Sequence, residues 1–381
     1  MTTYLDCNAT TPVDERVADA IGKYLTEEFG NAGSRTHDYG ARAKKAVQRA
    51  RQNVAEVVRG DGGMKSEEVI FTSGATEANN IAILGLEKHG RETGRKHVVT
   101  TQIEHPAVLE PMEQLEARGF EVEYLPSNEG GRVDVQRVAE AVRDETLMVS
   151  VMQVNNETGI RQPVRDIADV LAGTNVYLHV DAAQGFGKEL GPLRHQRIDM
   201  ISGSAHKLYG PKGVGALVMR RRNFRLPPLE PLVWGGGQER GLRPGTLPAQ
   251  LIVGFGKACE LAVQECDQRR QACQKFRDAA LDALESLDPR FNGDLDHSVP
   301  HVLNVAFEGV DQEALTVALK GLVAISNGSA CTSSEENRYS HVLRAMEAPE
   351  WVLEGAVRLS WCHMTEQPEW EKVVDVIRGL R

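Results

Sequence analysis

The chain has 381 residues, 41% of them hydrophobic and 26% charged, with a formal net charge of −10. That length points to one large domain plus a smaller one. The acidic balance argues against a nucleic-acid-binding surface, and no apolar run approaches the ~20 residues that span a bilayer. The opening MTTYLDCNAT lacks a basic segment ahead of an apolar core, as a secretory leader would have, so the cytoplasm is the expected location.

In chain order, Thr11-Pro12-Val13-Asp14 has the residue types of a helix start: Thr as cap, Pro in the first turn, Asp at the positive end. Val17, Ile21 and Leu25 follow at helical spacing, and Gly30 ends the run. A long amphipathic stretch covers about 37–58. Short apolar runs then alternate with helical patterns. Strands are expected at 69–72, 97–101, 122–125, 147–154, 176–180, 200–202 and 215–219. This alternation predicts an α/β domain with a mainly parallel seven-stranded sheet and helices on both faces.

The run Arg220-Arg221-Arg222 reads as a solvated patch after the last of these strands. Residues 227–248 are rich in Pro and Gly with little regular structure, and loops of that length commonly carry function. A long helix is expected from about Leu251 to about Ser286. After it come apolar runs at 302–307, 324–326 and 356–362 and a helix following Asp311, a pattern for a smaller α+β domain. The expected division is a large domain over 14–250, with 1–13 and 251–381 forming the smaller one.

The six cysteines make no CxxC or CxH pair, so no metal site is expected. Cys259, Cys266 and Cys273 recur every seven residues in the helical stretch. Seven residues advance a helix by about 10.5 Å, too far to share one ion, and these thiols are expected to pack on one face.

Three segments carry chemistry. Ser73-Gly74-Ala75-Thr76-Glu77-Ala78-Asn79-Asn80 follows a strand and opens a helix. Small residues there let backbone N–H groups approach an anion, with the Thr76 hydroxyl as a further donor. A tight turn with an ordinary cap would use the same residues. Asp181 stands at the C-terminal end of a strand, where open α/β sheets place their ligands; it could hold a pyridinium nitrogen protonated or simply cap a helix. Lys207, in Ser204-Ala205-His206-Lys207, is flanked by small polar residues and followed by a Gly-Pro-Lys-Gly turn. Lys212 in that turn is the competing amine, with solvent exposure expected for it. A lysine that forms a Schiff base and later moves protons is what pyridoxal 5'-phosphate (PLP) chemistry requires.

Phosphate turn, strand-end acid and lysine occur in that order. With them come LDCNATTP (5–12), FGNAGS (29–34), FTSGATEANN (71–80), Glu104-His105, VNNETG (154–159), VDAAQ (180–184), GGGQERGLRPGT (235–246) and SACTS (329–333). Together these resemble the class V aminotransferase group of fold-type I PLP enzymes, and within it the cysteine desulfurases of the NifS/IscS type.

The resemblance implies that Lys207 carries the cofactor as a Schiff base and Asp181 pairs with the ring nitrogen. Gln184 and Asn155 would lie near the ring hydroxyl, Asn155 also touching substrate. His105 would stack on the ring and assist proton transfer. Ala75, Thr76, Ser204 and His206 would bind the phosphate, and Thr246 would reach the phosphate of the other subunit in a homodimer. Arg358 would grip the carboxylate of L-cysteine through its bidentate fork. Without the resemblance, His105 could be a turn histidine, Gln184 and Asn155 ordinary buried amides, and Arg358 a solvent-side charge.

Cys331 decides the sub-type. Its neighbours are small and polar, unlike those of a buried structural cysteine, and a nucleophilic thiol needs access and a route to thiolate. The implied reaction converts L-cysteine to alanine and leaves a persulfide on Cys331, to be passed to an acceptor protein. Iron–sulfur assembly, thiolation and DNA phosphorothioation are all pathways known in the family. Cys7-Asn8, Pro244, Asn327 and Trp361-Cys362-His363-Met364 depart from the common family pattern and leave the acceptor open. Rival readings are a selenocysteine lyase or another class V reaction, and a non-catalytic sulfur carrier or scaffold. A nucleotide-binding module finds no GxxxxGK[ST] or GxGxxG sequence.

Overall fold

The computed structural model describes residues 2–60, 63–327 and 339–381. Strand β1 (Thr3–Tyr4) leads the chain. A seven-stranded sheet follows, built from β2 (Val69–Thr72), β3 (His97–Thr101), β4 (Glu121–Leu125), β5 (Thr146–Met152), β6 (Tyr177–Asp181), β7 (Met200–Ser204) and β8 (Gly215–Met219). Its spatial order is β2-β8-β7-β6-β5-β3-β4. The pairs from β7 through β4 are parallel, while β8 runs antiparallel to both β2 and β7.

Every residue of β2, β3, β5, β7 and β8 is buried, as a sheet covered on both faces requires. One face packs Ile70, Val98, Leu147 and Leu217 under the helices Ala75–Leu84 and Pro106–Ala117 through Ala78, Ile81, Met112 and Leu115. The other packs Phe71, Val149, Leu178 and Val218 against Val54, Ile167 and Phe255. Edge strand β4 points Glu121 outward, and such charges discourage further strand pairing.

A second sheet holds β9 (Arg290–Phe291), β10 (Val302–Ala306) and β12 (Val357–Ser360), all antiparallel, in the order β12-β10-β9. Strand β11 (Val323–Ala324) pairs in parallel with β1, which ties the N-terminus to the C-terminal region. The 36-residue helix Ala249–Leu284 enters both cores. Ile252, Phe255 and Cys259 belong to the large sheet's core, whereas Cys273, Phe276 and Leu284 pack with Leu303, Val305 and Trp361. Cys259 and Cys273 are thus packing residues, and Cys266 is half-buried with its thiol on the Lys188 carbonyl at 3.7 Å.

Two local expectations are corrected. The first helix is Glu15–Thr26, capped by Asp14, whose carboxylate accepts the Arg16 N–H. Thr11 instead donates to the His206 carbonyl (3.0 Å) and accepts the Tyr209 N–H (2.9 Å), docking the N-terminal segment on the loop after β7. Nor is Arg220 solvated: it is buried and donates to the carbonyls of Val58, Leu193 and Ile198. Arg222 is taken up by Asp199 at 2.6 Å. Carbonyls from separate segments of the chain converge there, and an arginine fork satisfies several at once. Among the described residues no helix is long and apolar enough to cross a membrane.

Candidate active site

The C-terminal ends of β5, β6 and β7 open onto a cavity of about 490 Å³. At one side β2 gives way to a turn in which the Thr72 hydroxyl donates to the Gly74 carbonyl (2.8 Å). Gly74 caps the helix Ala75–Leu84 without a side-chain hydrogen bond to the first turn. The leading N–H groups and the positive end of the helix dipole are therefore available to an anion, and Ala75 and Thr76 line the cavity. Gly215 explains the tight approach: a Cβ there would stand 2.7 Å from the Gly74 backbone, so β8 can pass only as glycine.

Asp181 ends β6 and is buried. One carboxylate oxygen accepts the Ala183 N–H (2.9 Å) and the other the Asn79 amide (2.8 Å). Lys207 ends the short turn after β7, and its ammonium donates to the carbonyls of Asn8 and Ala9, the latter at 3.0 Å. Gln184 donates to the same Asn8 carbonyl (3.1 Å), while its Oε1 is buried with no hydrogen-bond partner among the described residues. Ser204 and His206 complete this wall, with His206 Nδ1 3.2 Å from the Thr10 hydroxyl. Burial, and then the charges of Lys207, Lys212 and Lys188, lower the His206 pKa to about 4. His206 therefore meets an anion as a neutral hydrogen-bonding group.

His105 caps the helix Pro106–Ala117: its Nδ1 accepts the Ala107 N–H at 3.0 Å, so the proton of the neutral ring sits on Nε2. Burial lowers its pKa, Asp181 opposes that shift, and Lys207 and His341 add to it. A neutral imidazole results at the cavity wall. Lys212, exposed as expected, reaches the rim.

An amine, a carboxylate, a neutral imidazole and an uncapped helix N-terminus thus face one space. The orphaned Gln184 Oε1 adds an acceptor awaiting a hydroxyl or N–H donor. This donor set fits an aldehyde-bearing pyridinium phosphate.

The chain matches the model of the family "Aminotransferase class-V" over residues 3–373. The chain belongs to the class-V aminotransferase family. Its cofactor is pyridoxal 5'-phosphate. Cysteine desulfurase IscS of Vibrio cholerae is 44% identical over 379 residues, which cover 98% of this chain and 91% of that protein. The crystal structure of DndA from Streptomyces lividans is 50% identical with a TM-score of 0.81, covering 94% of this chain and 99% of that one. A solved NifS-like protein is 35% identical with a TM-score of 0.88, covering 100% and 98%.

Not every class-V position named from the sequence lines the cavity. Asn155 is fully buried and spent on its own turn. Its Oδ1 accepts the Glu157 and Thr158 N–H groups (both 2.9 Å), and its amide donates to the Ile103 carbonyl (3.0 Å). The neighbouring Asn156 lines the cavity instead. The Arg358 guanidinium donates to Asp6 (2.6 Å) and to the Asn156 carbonyl (2.9 Å), one residue removed from the cavity wall. Thr246 is exposed and outside the cavity. Cys331 lies outside the described residues.

The described flanks of that cysteine are nonetheless fixed beside the site. Ser326 exchanges backbone hydrogen bonds with Arg358. Ser340 donates to the buried Glu157 carboxylate, and His341 Nε2 lies 2.8 Å from the Glu104 carbonyl. Glu104 is itself buried, its Oε1 accepting from Thr101 (2.7 Å) and from the Met152 N–H (2.9 Å). Sequence reasoning assigned no role to Asn79, Asn8, Asn156 or Glu104. All four stand within quoted motif segments, Asn156 directly after Asn155.

Proposed function

We propose that the cavity around Lys207 is where this chain takes sulfur from L-cysteine. The chain is a PLP-dependent cysteine desulfurase, releasing alanine. The observation that carries the site assignment is the convergence of Lys207, Asp181, His105 and the uncapped helix start at 75–76 on one 490 Å³ cavity.

When bound, the cofactor supplies an electron sink for the bond broken at the substrate Cα. Ala75, Thr76, Ser204 and His206 would hold its phosphate, and Asp181, oriented by Asn79, its ring nitrogen. The Lys207 amine takes the substrate Cα proton and returns it. Neutral His105 would lie against the ring, its Nε2–H directed by the bond that Nδ1 accepts from the Ala107 N–H. Gln184 supplies an acceptor to the ring's polar edge. Arg358 would take the substrate carboxylate by exchanging its contact with Asp6, and Asn155 would act by shaping the wall that Asn156 presents. The Cys331 thiolate attacks the substrate sulfur. The carbon–sulfur bond breaks, carbon keeps the electron pair and is protonated, and alanine leaves a persulfide on Cys331.

We also propose a cytoplasmic homodimer in which Thr246 reaches the phosphate of the partner's site, in keeping with its exposure outside its own cavity. The domain division expected from the sequence, 14–250 against the remainder, belongs to the same proposal. A separate acceptor protein would take the sulfur.

The test is a spectrum of the purified protein, followed by L-cysteine with alanine assayed beside intact mass. A cofactor band, alanine and a sulfur adduct on Cys331 are expected. Cys331→Ala should keep the band and lose the adduct, and Lys207→Ala should lose the lysine-bound band. Full turnover by either variant would overturn its role. Selenide in place of sulfane sulfur as the preferred product would redirect the reading to selenocysteine.

A further inference from the structure

Cys7 and Cys362 lie far apart in sequence yet on adjoining segments. Cys7 follows β1, Cys362 follows β12, and the Cys7 N–H donates to the Ser360 carbonyl (3.0 Å). The two cysteines form a small buried cluster with Tyr209. Behind them stands Lys188. Its ammonium is fully buried, has no hydrogen-bond partner among the described residues, and lies 5.7 Å from the centre of the Tyr209 ring. The acidic groups acting on Lys188 are all thiols, those of Cys7, Cys273 and Cys362. Burial lowers the Lys188 pKa, and an ionised sulfur among these thiols opposes that fall.

The groups around the pair decide which sulfur that is. The Thr365 hydroxyl donates to the Cys362 sulfur (3.4 Å), and Lys188 adds its charge. Both favour thiolate on Cys362, while Cys7 is held as the thiol. Both cysteines also line a surface groove of about 600 Å³ with Tyr4, Pro12 and Gln367, which gives a small molecule a path to them.

We propose that Cys7 and Cys362 form a modification site, oxidised to a disulfide by a hydroperoxide of hydrogen peroxide's size. The Cys362 thiolate attacks one peroxide oxygen, the O–O bond breaks, and hydroxide leaves a sulfenic acid. The Cys7 sulfur then displaces that oxygen, its proton leaving with it as water. The peroxide gains two electrons, one from each sulfur. The bond forms one residue from Asn8, whose carbonyl receives Lys207.

The test uses the holoenzyme carrying Cys331→Ser, which removes the nucleophilic thiol from the readout. After hydrogen peroxide at neutral pH, peptide mapping without reductant should recover the Cys7 and Cys362 peptides joined, with loss of two hydrogens, and a phosphine should separate them. Adding Cys7→Ser should stop the reaction at a sulfenic acid on Cys362 that dimedone traps. Lys188→Met should slow iodoacetamide alkylation of Cys362 by about tenfold, through loss of thiolate. Continued protection of fully buried Cys259 reports that this variant is folded. Recovery of both cysteines as free thiols, linkage of Cys362 to Cys273, or unchanged alkylation in a folded Lys188→Met protein would each overturn the proposal.

Discussion

Replacing Asn155 with alanine separates two roles that its position allows. The side chain accepts from the Glu157 N–H and the Thr158 N–H at 2.9 Å and from the Thr158 hydroxyl at 3.2 Å, and donates to the Ile103 carbonyl at 3.0 Å. Alanine leaves two backbone N–H groups and one carbonyl in a buried turn without these partners. Each such group costs roughly 1–3 kcal/mol, and some relaxation is expected, so the loss should be about 3–5 kcal/mol. Asn156 provides the control, because its Oδ1 makes no hydrogen bond among the described residues, and Asn156→Ala should cost under about 1 kcal/mol. Urea unfolding of the cofactor-free proteins, with slopes compared, measures both. If Asn155→Ala unfolds within about 1 kcal/mol of the parent yet binds PLP far more weakly, the side chain works at the cofactor and the turn argument fails.

Three further outcomes follow from buried or paired carboxylates. Burial raises the Glu104 pKa to about 8, with Asp181 adding to it and the bonds from Thr101 and Met152 opposing. The folded value lies above the unfolded one, so the native state holds the extra proton and stability falls as pH rises through about 8. Between pH ~6 and ~9, Glu104→Gln should therefore lose stability less steeply than the parent in thermal melts, and parallel curves would refute this. Glu265 goes the other way: hydrogen bonds from Arg16 and then Arg269 outweigh burial and bring it to about 2. Its contribution is present above the usual Glu value and is lost as pH falls through about 2, a modest term at this partly exposed site. Acid titration of stability in Glu265→Gln should show that term missing. Glu239 accepts from Arg51 and, at 2.7 Å, from the Phe71 N–H, so Glu239→Ala strands a largely buried guanidinium and should cost about 3–5 kcal/mol. Adding Arg51→Ala should restore part of that loss in denaturant midpoint, and simple additivity would exclude the coupling.

The central sheet was legible because strands buried on both faces must be continuous apolar runs, and 69–72, 97–101 and 215–219 match to the residue. Where the run overshot, chemistry intervened: β5 stops at Met152 because the chain turns there to present the Asn155 hairpin. Asp181 and Lys207 were legible for a topological reason. Asp181 ends β6 and Lys207 lies in the turn after β7, and these strands are parallel neighbours in the sheet, so their C-terminal ends meet at one edge.

What stayed hidden depends on side-chain direction or on partners distant in sequence. Asn155 and Asn156 are adjacent and identical in type, and only the backbone path decides which amide closes the turn and which faces the cavity. Arg220 finds carbonyls at 58, 193 and 198, a set that no local pattern contains. Cys7, Cys362 and Lys188 meet because β1 and β12 flank the same docking seam, where Cys7 and Asn8 both bond to Ser360. Each taken alone reads as an ordinary buried residue. The proposed chemistry arises from the seam itself: a buried lysine amine stands beside two thiols, the Thr365 hydroxyl donates to only one of those sulfurs, and that arrangement exists only once the two ends of the chain have come together.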